Sequence, residues 1–351
     1  MANSHHDFAP LAALMTWYDK SARVLPWRAR PGRRSDPYHV WLSEIMLQQT
    51  TVATVGPYFA KFLKRWPTVE ALAAADLDQV LANWAGLGYY ARARNLHKCA
   101  VAVAASGGDF PNTEAELQEL PGIGPYTAAA IGAIAFDLPL MPVDGNIERV
   151  TARYLAITGA MPGVKPELRD KAQFFKSDKR PGDVAQAFMD LGATICTPRN
   201  PDCERCPINR DCQARHLGIA ADLPKRAAKK PRRVRYATMF WLTRQDGKVL
   251  LKKRPEKGLL GSMLGLPTTD WTEETDTEPE GFAPVKSKWQ PVPETVGHTF
   301  THFHLEVSVL TARTSRKERA GEVWLKHEEF SDHAVPTLFR KVAKHVVGHS
   351  G

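Results

Sequence analysis

The spacing of apolar and polar positions divides the chain into two halves of different period. From residue 8 to about 217, apolar residues recur every three or four positions, as in helices with one buried face. Tyr38, Trp41, Leu42, Ile45 and Met46 form one such stripe, and Glu44 lies off it, sharing an edge with Gln48 one turn later. Gly86 closes a predicted helix over 76–85, and Gly107 and Gly108 close the helix that begins after the turn Gly86-Leu87-Gly88. Thr113 predicts the N-cap of a short helix ending at Pro121, Pro125 starts the next, and a further helix is predicted over 147–155. No long β-branched alternation interrupts this half, so it reads as all-α.

The pattern changes at residue 225. Seven of the eleven residues 225–235 are Lys or Arg, and Pro224 and Pro231 punctuate the run. This reads as an exposed linker, either a solvated spacer or a segment that touches DNA. Strands are predicted beyond it over 236–243, 249–253, 298–310 and 322–325, and the acidic stretch 268–280 reads as a loop. The expected division is therefore an all-α domain over 1–224, a basic linker over 225–235 and an α+β domain over 236–351.

Composition adds a partner class. Apolar residues make up 43% and charged residues 24% of the 351, as in ordinary globular proteins. No run of about 18 apolar residues suggests a membrane span, and the first ten residues lack a secretory pattern. The expectation is a cytoplasmic protein that meets the nucleoid by binding DNA. The formal net charge of +9 and a pI near 9.3 favour a polyanion, because Lys and Arg gain affinity by displacing counterions from phosphates.

Four of the five cysteines (Cys196, Cys203, Cys206 and Cys212) follow the spacing Cys-x6-Cys-x2-Cys-x5-Cys, and Cys99 stands apart. An odd count in a chain without secretory signals favours a metal centre over disulfides. Zinc ribbons usually contribute two separated Cys-x-x-Cys knuckles, and here there is one, so a tight wrap around a [4Fe–4S] cluster fits the spacing better. Zinc remains the rival, with His216 as an additional ligand.

Leu120-Pro121-Gly122-Ile123-Gly124 joins two predicted helices. A Gly-x-Gly turn at a helix start lets backbone N–H groups approach a phosphate unobstructed, so Gly122 and Gly124 read as a helix–hairpin–helix clamp on DNA. Two carboxylates complete the candidate chemistry. Glu44 is either a solvated helix acid or a catalyst, and Asp144, in Pro142-Val143-Asp144-Gly145-Asn146, is either an ordinary N-cap or a catalyst. Cleaving an N-glycosidic bond needs an acid for the leaving base and a negative charge near the developing oxocarbenium ion.

Taken together, these motifs resemble the MutY-type adenine DNA glycosylases of the endonuclease III-like helix–hairpin–helix superfamily. The most specific are Ser43-Glu44-Ile45-Met46-Leu47-Gln48-Gln49-Thr50 and the cysteine spacing. The resemblance spans essentially the whole chain and implies removal of adenine mispaired with 8-oxoguanine or guanine in double-stranded DNA. By that likeness Glu44 protonates the base and activates water, Asp144 stabilises the cationic sugar, and Asn146 orients the site. Arg23, Leu25, Trp27, Arg28 and Asp190 match residues lining the adenine pocket. Gln49 and Tyr89 match side chains that wedge into the stack, and Leu47 and Thr50 match neighbours of the oxidised guanine. Bifunctional relatives carry a lysine nucleophile where this chain has Tyr126, which implies hydrolysis without strand nicking. The C-terminal half resembles a Nudix-like 8-oxoguanine-recognition domain without the Nudix hydrolase signature. In it Phe300-Thr301-His302 matches a loop that meets the lesion strand. Two rival readings stay open: a glycosylase–lyase for oxidised pyrimidines, and a non-enzymatic lesion sensor.

Overall fold

The computed structural model describes residues 10–227, 231–256 and 258–349. They fall into two compact units, Met1–Ala74 with Asn95–Ala228, and Ala75–Arg94 with Lys229–Gly351. Among the described residues no helix is long and apolar enough to cross a membrane.

The helices of the N-terminal half are α1 (Leu11–Ser21), α2 (Pro37–Leu47), α3 (Val52–Arg65), α4 (Val69–Ala73), α5 (Leu77–Trp84) and α6 (Ala91–Ala105). They continue as α7 (Glu114–Glu119), α8 (Pro125–Phe136), α9 (Gly145–Tyr154), α10 (Lys165–Ala172), α11 (Pro181–Thr194) and α12 (Gln213–His216). Their starts follow from side-chain capping. Asp36, Thr51, Thr68, Asp76, Thr113 and Asp144 each accept a backbone N–H of the first turn, worth about 1 kcal/mol apiece.

In the first unit, Leu14 and Tyr18 of α1 pack with Ile147 and Val150 of α9 and with Val184, Phe188 and Leu191 of α11. Helix α8 is buried at every position from Thr127 to Ala135, which is why it is built from Ala, Gly and Ile. Gly192 permits the approach of α11 to α9: a Cβ there would stand 2.6 Å from the Asn146 Cβ. Gly122 holds the α7–α8 turn at φ 81°, a conformation that favours glycine. Strands β1 (Ala160–Met161) and β2 (Lys225–Arg226) pair in parallel. The basic run 225–235 thus starts as a paired strand, and residues 228–230 lie outside the described set.

The second unit holds a seven-stranded mixed sheet and helix α13 (Thr337–Gly348). Its strands are β3 (Arg233–Arg244), β4 (Val249–Lys253), β5 (Leu264–Gly265), β6 (Gln290–Pro291), β7 (Val296–Thr299), β8 (Phe303–Thr314) and β9 (Glu322–Leu325). β3 and β8 pair in parallel from Arg233↔Phe303 to Arg244↔Thr314. Met239 and Trp241 face the side covered by Leu338, Phe339 and Val342 of α13, and Phe240 and Leu242 face Trp289 and Trp324 on the other.

Three expectations shift here. β3 starts at Arg233, inside the expected linker, and the Arg235 guanidinium lies over the Phe303 ring at 4.7 Å. The acidic stretch 268–280 is pinned to β3 at its start, through bridges from Thr268 to Met239 and from Thr272 to Tyr236. The single strand expected over 298–310 is a hairpin, closed by the Phe300 N–H donating to the Phe303 carbonyl at 2.9 Å. No Gly, Pro or Asn marks that turn, so the sequence pattern runs through it unbroken.

Candidate active site and cluster loop

A cavity of about 610 Å³ opens in the first unit. Arg23, Leu25, Trp27, Arg28, Glu44, Leu47, Gln49, Thr50, Tyr126, Asp144 and Asn146 all line it, so residues from four separate sequence motifs come together. Asp190 does not line it. Its carboxylate is fully buried behind the wall, where it accepts from Arg23 Nε at 2.6 Å and Arg28 Nη1 at 2.7 Å. Asp190 therefore fixes the two arginines. Trp27 is held from behind by the edge of Phe59, with ring centroids 5.4 Å apart.

Glu44 is 7% exposed, which rules out a solvated helix acid. Helix α2 is buried on nearly every side, so its apolar stripe understates its burial. Burial pushes the Glu44 carboxyl up to about 7, and the nearby Asp144 adds to the rise. The Tyr126 hydroxyl, donating to Glu44 Oε2 at 2.9 Å, and the Arg28 charge pull the other way. Asp144 is both an N-cap and a cavity residue. Its Oδ1 accepts from the N–H groups of Asn146 and Ile147, at 2.9 and 2.8 Å, and its Oδ2 accepts from Asn146 Nδ2 at 2.7 Å. Burial raises this carboxyl too, while those hydrogen bonds favour its anion. One acid poised near neutrality thus shares the cavity with a second carboxyl whose anion three donors favour against its burial, an arrangement suited to separating acid from charge stabiliser.

Sequence reasoning missed several lining residues, including Glu148, Lys165, Arg169 and Gln186. Glu148 follows Asp144 by one helical turn, a spacing that could have flagged it. Lys165 and Arg169 come from α10, and no local pattern signals their return to the cavity.

Among the other predicted residues, Gly122 and Gly124 form the turn before α8. Gly124 is the α8 N-cap and has no side-chain capping bond, which leaves that helix start open to an anion. Gln49 and Tyr89 both have positive φ, 58° and 48°, a backbone cost that often marks functional positions. Within the second unit Tyr89 is 49% exposed, and its hydroxyl lies 2.6 Å from Thr301 Oγ1. Phe300 packs inward on Trp271, with centroids 5.6 Å apart, while Thr301 and His302 are exposed at the hairpin tip.

Cys196, Cys203, Cys206 and Cys212 line one cavity together with Arg153 and Ile195, and His216 is absent from its lining. Among the described residues no three His, Cys, Asp or Glu side chains are placed to hold a single metal ion. Four sulfurs ringing a cavity suit a polynuclear cluster better than one zinc. Arg153 Nη1 lies 3.3 Å from Cys196 Sγ, a cation beside a ligand that must be a thiolate. Arg149 links this region to the cavity, donating to the Cys196 carbonyl at 2.7 Å and to Asn146 Oδ1 at 2.9 Å.

Three family models match the chain: HhH-GPD superfamily base excision DNA repair protein over 42–171, iron–sulfur binding domain of endonuclease III over 196–212, and NUDIX domain over 238–345. The human adenine DNA glycosylase is 35% identical, over 97% of this chain and 76% of its own. The chain belongs to the adenine DNA glycosylase family. The adenine DNA glycosylase of Buchnera aphidicola subsp. Schizaphis graminum is 30% identical over 93% of this chain and 99% of its own. Among solved structures, a thermostable thymine-DNA glycosylase superposes with a TM-score of 0.52 at 27% identity, covering 59% of this chain and 95% of the other. A trapped endonuclease III–DNA covalent intermediate gives a TM-score of 0.50 at 21% identity, covering 60% and 96%, a likeness of fold.

This enzyme is accordingly a DNA N-glycosylase of base excision repair, with a helical endonuclease III-like domain, a Nudix-like domain and a [4Fe–4S] cluster. The four loop cysteines would hold that cluster, which would supply a covalent staple for the segment 196–212. Chemical analysis of purified protein is expected to give about four irons per chain, and Cys206→Ser to lose most of that iron and much of the thermal stability. Colourless wild-type protein with stoichiometric zinc would contradict this.

Proposed function

We propose that this glycosylase is monofunctional. It rotates adenine mispaired with 8-oxoguanine or guanine out of the duplex, hydrolyses its N-glycosidic bond and leaves an abasic site. The single observation that carries this reading is the buried pair Glu44 and Asp144 in one cavity, with Tyr126 donating to Glu44 where a lyase would need an amine. A carboxyl that ionises near pH 7 is suited to protonate a leaving purine and then to take a proton from water. The Asp144 carboxylate, held by Asn146 and the α9 N-terminus, is suited to stabilise positive charge on the sugar.

The remaining residues take supporting roles in this reading. Arg23, Leu25, Trp27 and Arg28 wall the flipped base, and Asp190 holds the arginines in place. Gln49 and Tyr89 fill space vacated in the stack, offsetting a few kcal/mol of unstacking. Leu47, Thr50, Thr301 and His302 read the oxidised guanine, and Phe300 anchors that loop by packing on Trp271, with residues 1–224 as the catalytic part and 236–351 as the lesion-recognition part. Gly122 and Gly124 hold the backbone.

A panel of duplexes carrying A:8-oxoguanine, A:G, A:T and thymine glycol tests this. Adenine release is expected from the first two, with no strand nick before alkali. Release of thymine glycol, or a borohydride-trapped enzyme–DNA adduct in high yield, would overturn the reading.

A further inference from the structure

We infer that helix α10 and the turn after it form a phosphate track, with Lys165, Arg169 and Lys176 as its contacts, that leads the adenine-bearing strand from the catalytic cavity to the α7–α8 turn. Lys165 and Arg169 line the catalytic cavity. Arg169, Gln173 and Lys176 line a second cavity, of about 690 Å³, whose wall includes Gly124, Pro125 and Tyr126 at the start of α8. Arg169 therefore stands at the junction of the two.

The spacing explains the alignment. Lys165, Arg169 and Gln173 follow at i, i+4 and i+8 and share one helical face, while Leu168 and Ala172 on the adjoining stripe are fully buried and fix the helix against the core. Lys176 ends the short 3-10 turn Gln173–Phe175 and extends the row. Of the carboxylates nearby, Glu167 and Asp170 on α10 are exposed and line neither cavity. Lys165 Nζ lies 3.4 Å from the buried Glu148, masking a charge that would repel DNA, and Glu114 accepts from Gln118 on α7.

The inference rests on the proposed glycosylase reading. A strand that delivers one nucleotide into the cavity must pass its flanking phosphates over the rim, and the open start of α8 is a phosphate seat. Cations along the wall between cavity and seat neutralise the phosphates on that path.

The test measures affinity of the full chain for a duplex with a tetrahydrofuran abasic analogue opposite 8-oxoguanine, at several salt concentrations. Each lost phosphate contact should lower the slope of log K against log salt by about 0.9. Arg169→Gln and Lys176→Gln are each expected to lower it by that amount, and the double variant by about 1.8. Arg169→Lys should retain it. Lys171→Gln, exposed on α10 but lining neither cavity, should leave the slope and the rate of adenine release unchanged. Slopes equal to wild type in Arg169→Gln and Lys176→Gln, or an equal drop in Lys171→Gln, would overturn the track. If wild-type protein releases no adenine from A:8-oxoguanine duplexes, the underlying glycosylase reading fails instead.

Discussion

Glu44→Gln is expected to slow single-turnover adenine release by about 10³-fold, within the range of roughly 10²–10⁴ that a positioned acid–base group supplies. Glutamine keeps the shape and still accepts from Tyr126, so the loss isolates the proton. The wild-type rate should fall about tenfold per pH unit above pH 7, because the protonated acid disappears as pH rises through about 7, and should fall again at acid pH, where the Asp144 carboxylate is protonated. The same group makes a stability prediction of the same sense. Its folded-state pKa lies above the unfolded value of 4.5, so the folded form binds more protons between the two. The stability this contributes is fully present below pH 4.5 and lost as pH rises through 7. Glu44→Gln removes the titration. Its melting temperature should match wild type near pH 4.5 and exceed it at pH 8, by an amount corresponding to about 3 kcal/mol. The enzyme thus gives up stability at neutral pH to keep an ionisable acid buried.

The second large effect is expected from Asp144→Asn. Asparagine caps a helix as well as aspartate, so α9 should keep its start. The variant loses the negative charge facing the sugar, and adenine release should fall by at least about 10²–10³-fold. Arg149 holds the Asn146 Oδ1, which turns Nδ2 toward residue 144. In the variant two amide N–H groups can meet there, so a stability cost of about 1–2 kcal/mol is expected. Asp144→Ala separates the two roles: it removes cap and charge together and should cost additional stability without a further large loss of rate. Equal rates in Asp144→Asn and wild type would reduce Asp144 to a cap. Thermal melts beside single-turnover assays make the comparison.

Much of the fold is legible in local chemistry. Caps such as Asp76 and Thr113, the glycines at 86, 122 and 124, and the proline at 125 each act within a few residues, and the helices begin and end where those residues direct. The hairpin at Phe300-Thr301-His302 is not legible, because its turn uses no residue that demands a special backbone. Nor is the depth of Glu44. Its helix neighbours supply an apolar stripe, but burial of the remaining faces comes from α3 and α8, which tertiary packing brings in. Asp144 shows the converse. Its capping role is plain in Val143-Asp144-Gly145-Asn146, yet a cap and a charge stabiliser share the same sequence signature, and the shared cavity with Glu44 is what distinguishes them. Lys165 and Arg169 carry no local signal because a place on the cavity wall needs only charge and position, and position is a property of the fold.

In the proposed reaction Glu44 and Asp144 together cut the glycosidic bond of a mispaired adenine. The most direct measurement incubates an A:8-oxoguanine duplex with wild type, Glu44→Gln and Asp144→Asn in enzyme excess and quantifies the freed base by mass spectrometry. Free adenine is expected from wild type alone on the timescale of its single turnover, with an intact strand until alkali. Adenine released at wild-type rates by both variants would show that neither carboxylate takes part in the cleavage.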